Sequence, residues 1–415
     1  MRTKSVLFCL KNSAPTVLFL LIIMSGFLYL YLYNFGPPPE SYPEGNNLTV
    51  GAIVPLSGSM KTYGTEVRQG IEMAVSDINK EGGIKGKNVT VEYFDNLGSS
   101  NLAIFGFKKF CEDGIPVVIG PVSSSAALAV APVAEEEKTV MISPSATNPG
   151  LTKYPDYVFR TISSDAYQGK GIAKVLMTVH PEVKTAAVIY INTSYGKSLN
   201  SSFCTWFPKA GGQVIFCESY EEGGTDYYYL VDEISEANPD AVVVLGTLQD
   251  AETILKDASE KKLDVVWFGS EGLINDGLYE YAGEYVNGMY ALMQSSQIQS
   301  GTFIKRYESL YNTTTIDWPV SYGYDTMQII AEALRASDYN GKSISGSLKR
   351  IRHMGLCGPK VFDENGDIPP AYDIMRIEDG KWVRVKWNEV VFSDDDEDEE
   401  EILGNVLKSY SSENV

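Results

Sequence analysis

A chain of 415 residues exceeds one ordinary domain and is long enough for two or three, or for one two-lobed unit. Its 34 Lys and Arg face 54 Asp and Glu, a net charge of −20, and no basic face is left to neutralise a nucleic-acid backbone. The two histidines, His180 and His353, lie near neither each other nor a cysteine pair, so His-based zinc chemistry is excluded and no metal or cofactor is expected.

Arg2, Lys4 and Lys11 precede an apolar run from Val17 to Phe35 that is broken only by Ser25, Gly26 and Asn34. At about 1.5 Å per residue this run just spans a bilayer. No Lys or Arg follows until Lys61, so the positive-inside rule holds the N-terminus in the cytoplasm and places the body outside. The run lacks a small-residue cleavage site, which favours a retained transmembrane helix over a cleaved leader. Residues 1–35 therefore read as a cytoplasmic stub and membrane anchor. Residues 36–47, with Pro37, Pro38, Pro39 and Pro43, read as a stiff linker. Asn-x-Ser/Thr sequons at Asn47, Asn88, Asn192, Asn200 and Asn312 suit an exported chain, although such triplets also arise by chance. Cys111, Cys204, Cys217 and Cys357 follow the anchor and admit three pairings; Cys204 with Cys217 is preferred, and four unpaired thiols are the alternative.

From Leu48 short β-rich runs alternate with amphipathic stretches. Strands are predicted at 48–54, 89–94, 116–120, 139–143 and 157–162, and a second series follows at 185–191, 213–219, 241–246 and 264–269. Between the first two, Val67, Ile71, Ala74 and Ile78 recur at helical spacing, and Gly82 and Gly83 suit the end of that helix. Alternating β and α units imply parallel sheets covered on both faces, and two series imply an α/β chain of two doubly wound lobes. The last third has helical patterns at 302–311, 321–336 and 343–350, then extended segments to about Trp387. These pieces are too few for a third sheet domain and are expected to be shared between the lobes. Residues 390–415, with eight consecutive acids from Asp394 to Glu401, read as an acidic disordered tail.

No enzyme signature survives inspection. EGGIKGKN (81–88) departs from a P-loop at both ends, and G-x-S-x-G and G-x-G-x-x-G are absent. What remains is a set of polar side chains just beyond strand ends: Ser123 to Ser125, Ser145, Thr147, Tyr195, Thr247 and Glu271. In open α/β sheets ligands bind outside the carboxyl ends of the strands, so these positions are candidates for one cleft between the lobes. Hydroxyls and helix-start amides there would take an anionic group, and Glu271 a cationic one. Singly each has a plainer reading as a cap, a turn residue or a solvated charge.

VGAIVPLSGSMKTYG (50–64), AVSDINKEGGIKGKNVTVEYFDN (74–96), IGPVSSSAALAVAPVAEEEKTVMISPSATNP (119–149), TSYGKSL (193–199), FGSEGLIN (268–275) and GPKVFDENGDI (358–368) together resemble the branched-chain amino-acid binding proteins of ABC importers. The resemblance runs from about Leu48 to Trp387. It implies a type I periplasmic-binding fold whose two lobes, joined by three crossovers, close on an amino acid for delivery to an ABC transporter permease. It assigns 48–163 and 296–357 to the first lobe and 164–295 and 358–389 to the second. It also implies Ser124, Ser145 and Thr147 as carboxylate and ammonium contacts, Tyr63 in the loop after the opening strand as an aromatic wall, Tyr195 on the second lobe, and Glu271 as partner of the α-ammonium. Thr247 departs from the aromatic of leucine-binding relatives and allows a different or more polar side chain. The alternatives are a sensory ectodomain acting through a partner chain, since about sixteen cytoplasmic residues leave no output domain, and a binder of amides or small carboxylates.

Overall fold

Two runs of alternating hydrophobic strands and one-faced helices build two sheets in the computed structural model, which describes residues 45–275, 277–295, 300–313 and 316–385. The apolar run at 17–35, the linker before residue 45 and the acidic tail lie outside the described residues. Among the described residues no helix is long and apolar enough to cross a membrane.

The first lobe opens with β1 (Asn47–Val54), α1 (Lys61–Lys80), β2 (Asn88–Asp95), α2 (Ser100–Glu112), β3 (Val117–Ile119), α3 (Ser124–Glu137), β4 (Val140–Ser143) and β5 (Val158–Arg160). Its five strands are parallel in the order β2-β1-β3-β4-β5. The sheet is covered on both faces, so β1 is buried continuously from Val50 to Val54 rather than in alternation. Val67, Ile71, Ala74 and Ile78 form the buried stripe of α1, and Gly82 and Gly83 follow with positive φ.

The second lobe contains α4 (Asp165–Val179), β6 (Thr185–Ile191), α5 (Ser194–Trp206), β7 (Gln213–Tyr220), α6 (Tyr228–Ala237), β8 (Ala241–Leu245), α7 (Leu248–Lys261), β9 (Val266–Gly269), a 3₁₀ turn (Glu271–Leu273), α8 (Gly277–Ala282) and β10 (Tyr290–Gln294). Five of its strands run parallel, and the hairpin β13 (Tyr372–Glu378) and β14 (Lys381–Val385) completes the order β14-β13-β10-β9-β8-β6-β7 by antiparallel pairing on β10. Strand β10 escaped the sequence reading because YALMQ is short and shows no alternation.

The last third is divided between the lobes. Helices α9 (Gly301–Tyr311), α10 (Trp318–Arg335) and α11 (Gly341–Leu348), with the small hairpin β11 (Arg352–Gly355) and β12 (Gly358–Val361), return to the first. Met327, Ile330, Leu334, Ile344 and Leu348 enter the same core as β1 and α1. Phe362 and Ile368 join that core as well, so residues 358–368 pack with the first lobe, whereas the sequence reading placed everything after residue 357 in the second. GPKVFDENGDI is polar and turn-rich, and nothing in it distinguishes one sheet from the other before the chain is folded. The chain thus crosses between β5 and α4, between β10 and α9, and between Ile368 and β13. Beside these crossings Ile162, Met293, Trp318, Tyr322, Cys357 and Met375, drawn from both lobes, share one apolar cluster.

Candidate ligand-binding cleft

Strand order reverses between β1 and β3 in the first sheet and between β6 and β8 in the second. Ser124, Tyr195 and Thr247 stand directly beyond β3, β6 and β8, and such switch points are where open α/β sheets receive ligands.

On the first lobe β3 is followed by Gly120, whose φ of +91° and lack of room for a Cβ, which would stand 2.2 Å from the Ile53 carbonyl oxygen, admit no other residue without strain. A cis Gly120–Pro121 bond follows. Ser123 then caps α3 by accepting a hydrogen bond from the amide of Ala126. Ser124 opens the helix, is nearly buried, and accepts from the amide of Asn148 at 3.3 Å. The Ser145 hydroxyl donates to the Val122 carbonyl at 2.9 Å, so it braces the Ser123 loop. Buried Thr147 presents its carbonyl to Arg160 Nη1 at 2.8 Å and to the amide of Asp165 at 2.9 Å. Arg160, only 1% exposed, is held by Asp367 through two bonds of 2.6 Å, and its charge is matched within the first lobe. Tyr63 lies in the first turn of α1, not in the preceding loop as expected, and packs edge-on against Trp318 with ring centroids 5.1 Å apart.

On the second lobe Glu271 opens the 3₁₀ turn after β9 and is 5% exposed. It accepts a hydrogen bond from Gln168 Nε2, which also donates to the Leu292 carbonyl at 3.1 Å. Burial, then the charge of Asp165, pushes the Glu271 carboxyl up to about 7. Tyr195, in the first turn of α5, brings its hydroxyl beside Glu271 and Ser270, where it is buried without a well-aligned partner. The 271–273 turn sits tightly on the end of β8: a Cβ on Gly272 would stand 2.2 Å from the Gly246 carbonyl oxygen and 3.6 Å from the Thr247 Cα. Thr247 is the N-cap residue of α7, and its hydroxyl donates to Asp250 at 3.2 Å.

Asp165 joins the two halves. It is the first residue of α4, just after the first crossing, and is fully buried. Its Oδ2 accepts from the Ser198 hydroxyl of the second lobe, and the Thr147 hydroxyl of the first stands against the same carboxylate. Burial raises it to about 6, with the Ser198 and Thr147 hydroxyls and then the Arg160 charge acting in the opposite sense. The lobes are drawn together over the site: Asn148 Nδ2 donates to the Ser194 carbonyl across the cleft at 2.7 Å, and α3 meets α5 there. Tyr63 reaches this region too, since its hydroxyl is raised by burial and next by the charge of Glu271.

Of the residues singled out in the sequence, Ser124, Thr147, Tyr195 and Glu271 are brought to this junction, with Tyr63 on its wall and Thr247 on its border. Ser145 has its hydroxyl engaged within the first lobe. Asp165, Gln168 and Gln294 were not anticipated. Asp165 Oδ1, Gln168 Oε1 and Gln294 Oε1 are all buried without a partner. A buried surplus of acceptors, one of them a carboxylate oxygen, calls for a donor-rich group such as an ammonium. Among the described residues there is no cluster of three or more His, Cys, Asp or Glu able to hold a metal ion.

Two α/β lobes, crossed three times by the chain and meeting around buried polar side chains, define a two-lobed binding protein. The family model for the periplasmic binding protein matches residues 47–381, and the chain belongs to that family, whose members are solute-binding receptors for transport rather than enzymes. It is similar to the leucine-specific-binding protein of Salmonella typhimurium, with 30% identity over 78% of this chain and 88% of that protein. It is 26% identical to a Leu/Ile/Val-binding protein homolog of Brucella melitensis over 81% of this chain and 93% of the relative. Among solved structures, the LivJ substrate binding protein of a branched-chain amino acid transporter from Streptococcus pneumoniae, in complex with isoleucine, matches with a TM-score of 0.73 and 26% identity over 82% of this chain and all of that one. A leucine binding protein from Thermotoga maritima shows the same fold with a TM-score of 0.75 at 23% identity, over 82% of this chain and 98% of that one.

Proposed function

We propose that this receptor captures an aliphatic amino acid between its lobes and delivers it to an ABC import permease. The observation that carries the reading is the buried pair Glu271 and Asp165, close enough for the charge of Asp165 to act on Glu271 and accompanied by buried acceptor oxygens without a partner on Asp165, Gln168 and Gln294. The α-ammonium of the ligand supplies a cation, with Thr147 and Tyr195 beside it. The α-carboxylate accepts from the Ser124 hydroxyl and the first amides of α3, where the helix end favours an anion. Tyr63 and Trp318 provide an apolar wall for the side chain, and Thr247 stands at its far side. The names of the relatives, which bind leucine, isoleucine and valine, support an aliphatic side chain. The retained anchor belongs to the same reading, supported by the apolar run at 17–35, and would tether the receptor beside its permease.

A thermal-shift panel tests this. Leucine, isoleucine and valine are expected to stabilise the protein, because a ligand at one hundred times its Kd adds about 2.7 kcal/mol. Leucinamide and isocaproate, which lack one charge each, are expected to shift it far less. Equal stabilisation by the amide or the deaminated acid would show that the site does not read a zwitterion.

A further inference from the structure

We infer that Cys204 and Cys217 are a dithiol pair that closes to a disulfide and locks α5, the helix that carries Tyr195, onto β7. Cys204 lies one turn beyond Asn200 on α5, and Cys217 lies on β7, at the edge of the second sheet. Both sulfurs converge on one atom: Cys204 Sγ lies 3.1 Å and Cys217 Sγ 3.4 Å from Asn200 Oδ1. The two thiols also contact one another, and Cys217 is open to solvent while Cys204 is half-buried. By contrast Cys111 rests against the Thr139 hydroxyl, and Cys357 is buried against Ser321 in the inter-lobe cluster.

The chemistry is asymmetric. The hydrogen bond from Cys204 draws the Cys217 thiol down to about 7, while the same contact and burial push Cys204 up. Cys217, the member of the pair open to solvent, is the attacking thiolate. It displaces one thiolate from a small-molecule or protein disulfide, leaving a mixed disulfide on Cys217. Cys204 then loses its proton and attacks the Cys217 sulfur, expelling the second donor thiol. Two thiols are oxidised to one disulfide and the donor disulfide is reduced to two thiols. Asn200, whose side chain is the common acceptor, orients both sulfurs. The bond ties a short loop, residues 205–216, and fixes the helix whose first turn supplies Ser194 to the cross-cleft bond and Tyr195 to Glu271.

The test treats the folded, full-length chain with oxidised glutathione, then alkylates and maps it by mass spectrometry. The expected product is a peptide pair joined through Cys204 and Cys217, lighter by two hydrogens, with Cys111 and Cys357 still alkylated as thiols after unfolding. Cys204→Ser is expected to stop at the mixed disulfide on Cys217, and reduction of the wild type is expected to lower its Tm by several degrees. Separate alkylation of Cys204 and Cys217 after oxidation, or a bond from either to Cys111 or Cys357, would overturn the assignment. So would glutathione retained on Cys217 in the wild type, because the resolving step would then be absent.

Discussion

Replacing Glu271 by Gln is expected to weaken leucine binding by at least tenfold and to leave isocaproate binding unchanged or improved. A carboxylate ligand alone has no use for an acid in its site, whereas a zwitterion places its ammonium there. At about 4 Å and an effective dielectric near 20, such a pair attracts by roughly 4 kcal/mol before desolvation is subtracted. Removing one member of a buried, hydrogen-bonded pair usually costs about 2 to 5 kcal/mol, and about 1.4 kcal/mol is one decade of affinity. Glutamine keeps the shape and can still meet Gln168 and Tyr195, so the substitution removes charge and little else. Calorimetry on both ligands decides the matter. Equal losses would assign Glu271 to closure or folding, and no loss for either would place it outside the site.

The second large effect is on pH dependence. Glu271 and Asp165 are raised from ordinary values of 4.5 and 3.8 to about 7 and about 6, mainly by burial. Between the ordinary and the raised values the folded, ligand-free protein holds protons that the unfolded chain has lost. Its stability therefore falls as pH rises from about 4 to about 7, by on the order of 3 kcal/mol for each carboxylate. An ammonium in the cleft reverses the preference, because it favours both ionised forms. Leucine affinity is thus expected to rise between pH 5 and pH 8 with release of protons, and the stabilisation by leucine to grow over the same window. Urea unfolding of the ligand-free protein at a series of pH values, wild type beside Glu271→Gln, checks the first part: the variant should show the smaller decline. Identical declines would mean that Glu271 is not protonated in the empty cleft.

The sheets were legible because parallel strands buried on both faces appear as continuous apolar runs, and α1 because its stripe recurs at helical spacing. The placement of Ser124, Thr147, Tyr195 and Glu271 at the junction of the lobes was legible for a topological reason: each follows a strand, and the carboxyl ends of the strands of both sheets meet there. Asp165 was not, because its position at the start of α4 gives it the look of an ordinary acid in the first turn of a capped helix. Only folding brings it against Thr147 and Ser198 at once. Gln168 and Gln294 lie buried on α4 and at the end of β10, each with an unpartnered Oε1, and neither has a local sequence signature of that burial. Tyr63 was displaced from loop to helix because the helix already begins at Lys61, six residues before the first residue of its apolar stripe, Val67. The division near residue 358 shifted to Ile368 because Phe362 and Ile368, two apolar residues in a polar stretch, find the first lobe's core only in three dimensions.

A crystal structure of the protein with bound leucine measures the central claim most directly. The account predicts the ligand enclosed by both lobes, its ammonium within hydrogen-bond distance of the Glu271 carboxylate and its carboxylate at Ser124 and the start of α3, with the Asn148 to Ser194 bond in place. Leucine seated on one lobe alone, or enclosed with its carboxylate turned toward Glu271, would contradict it.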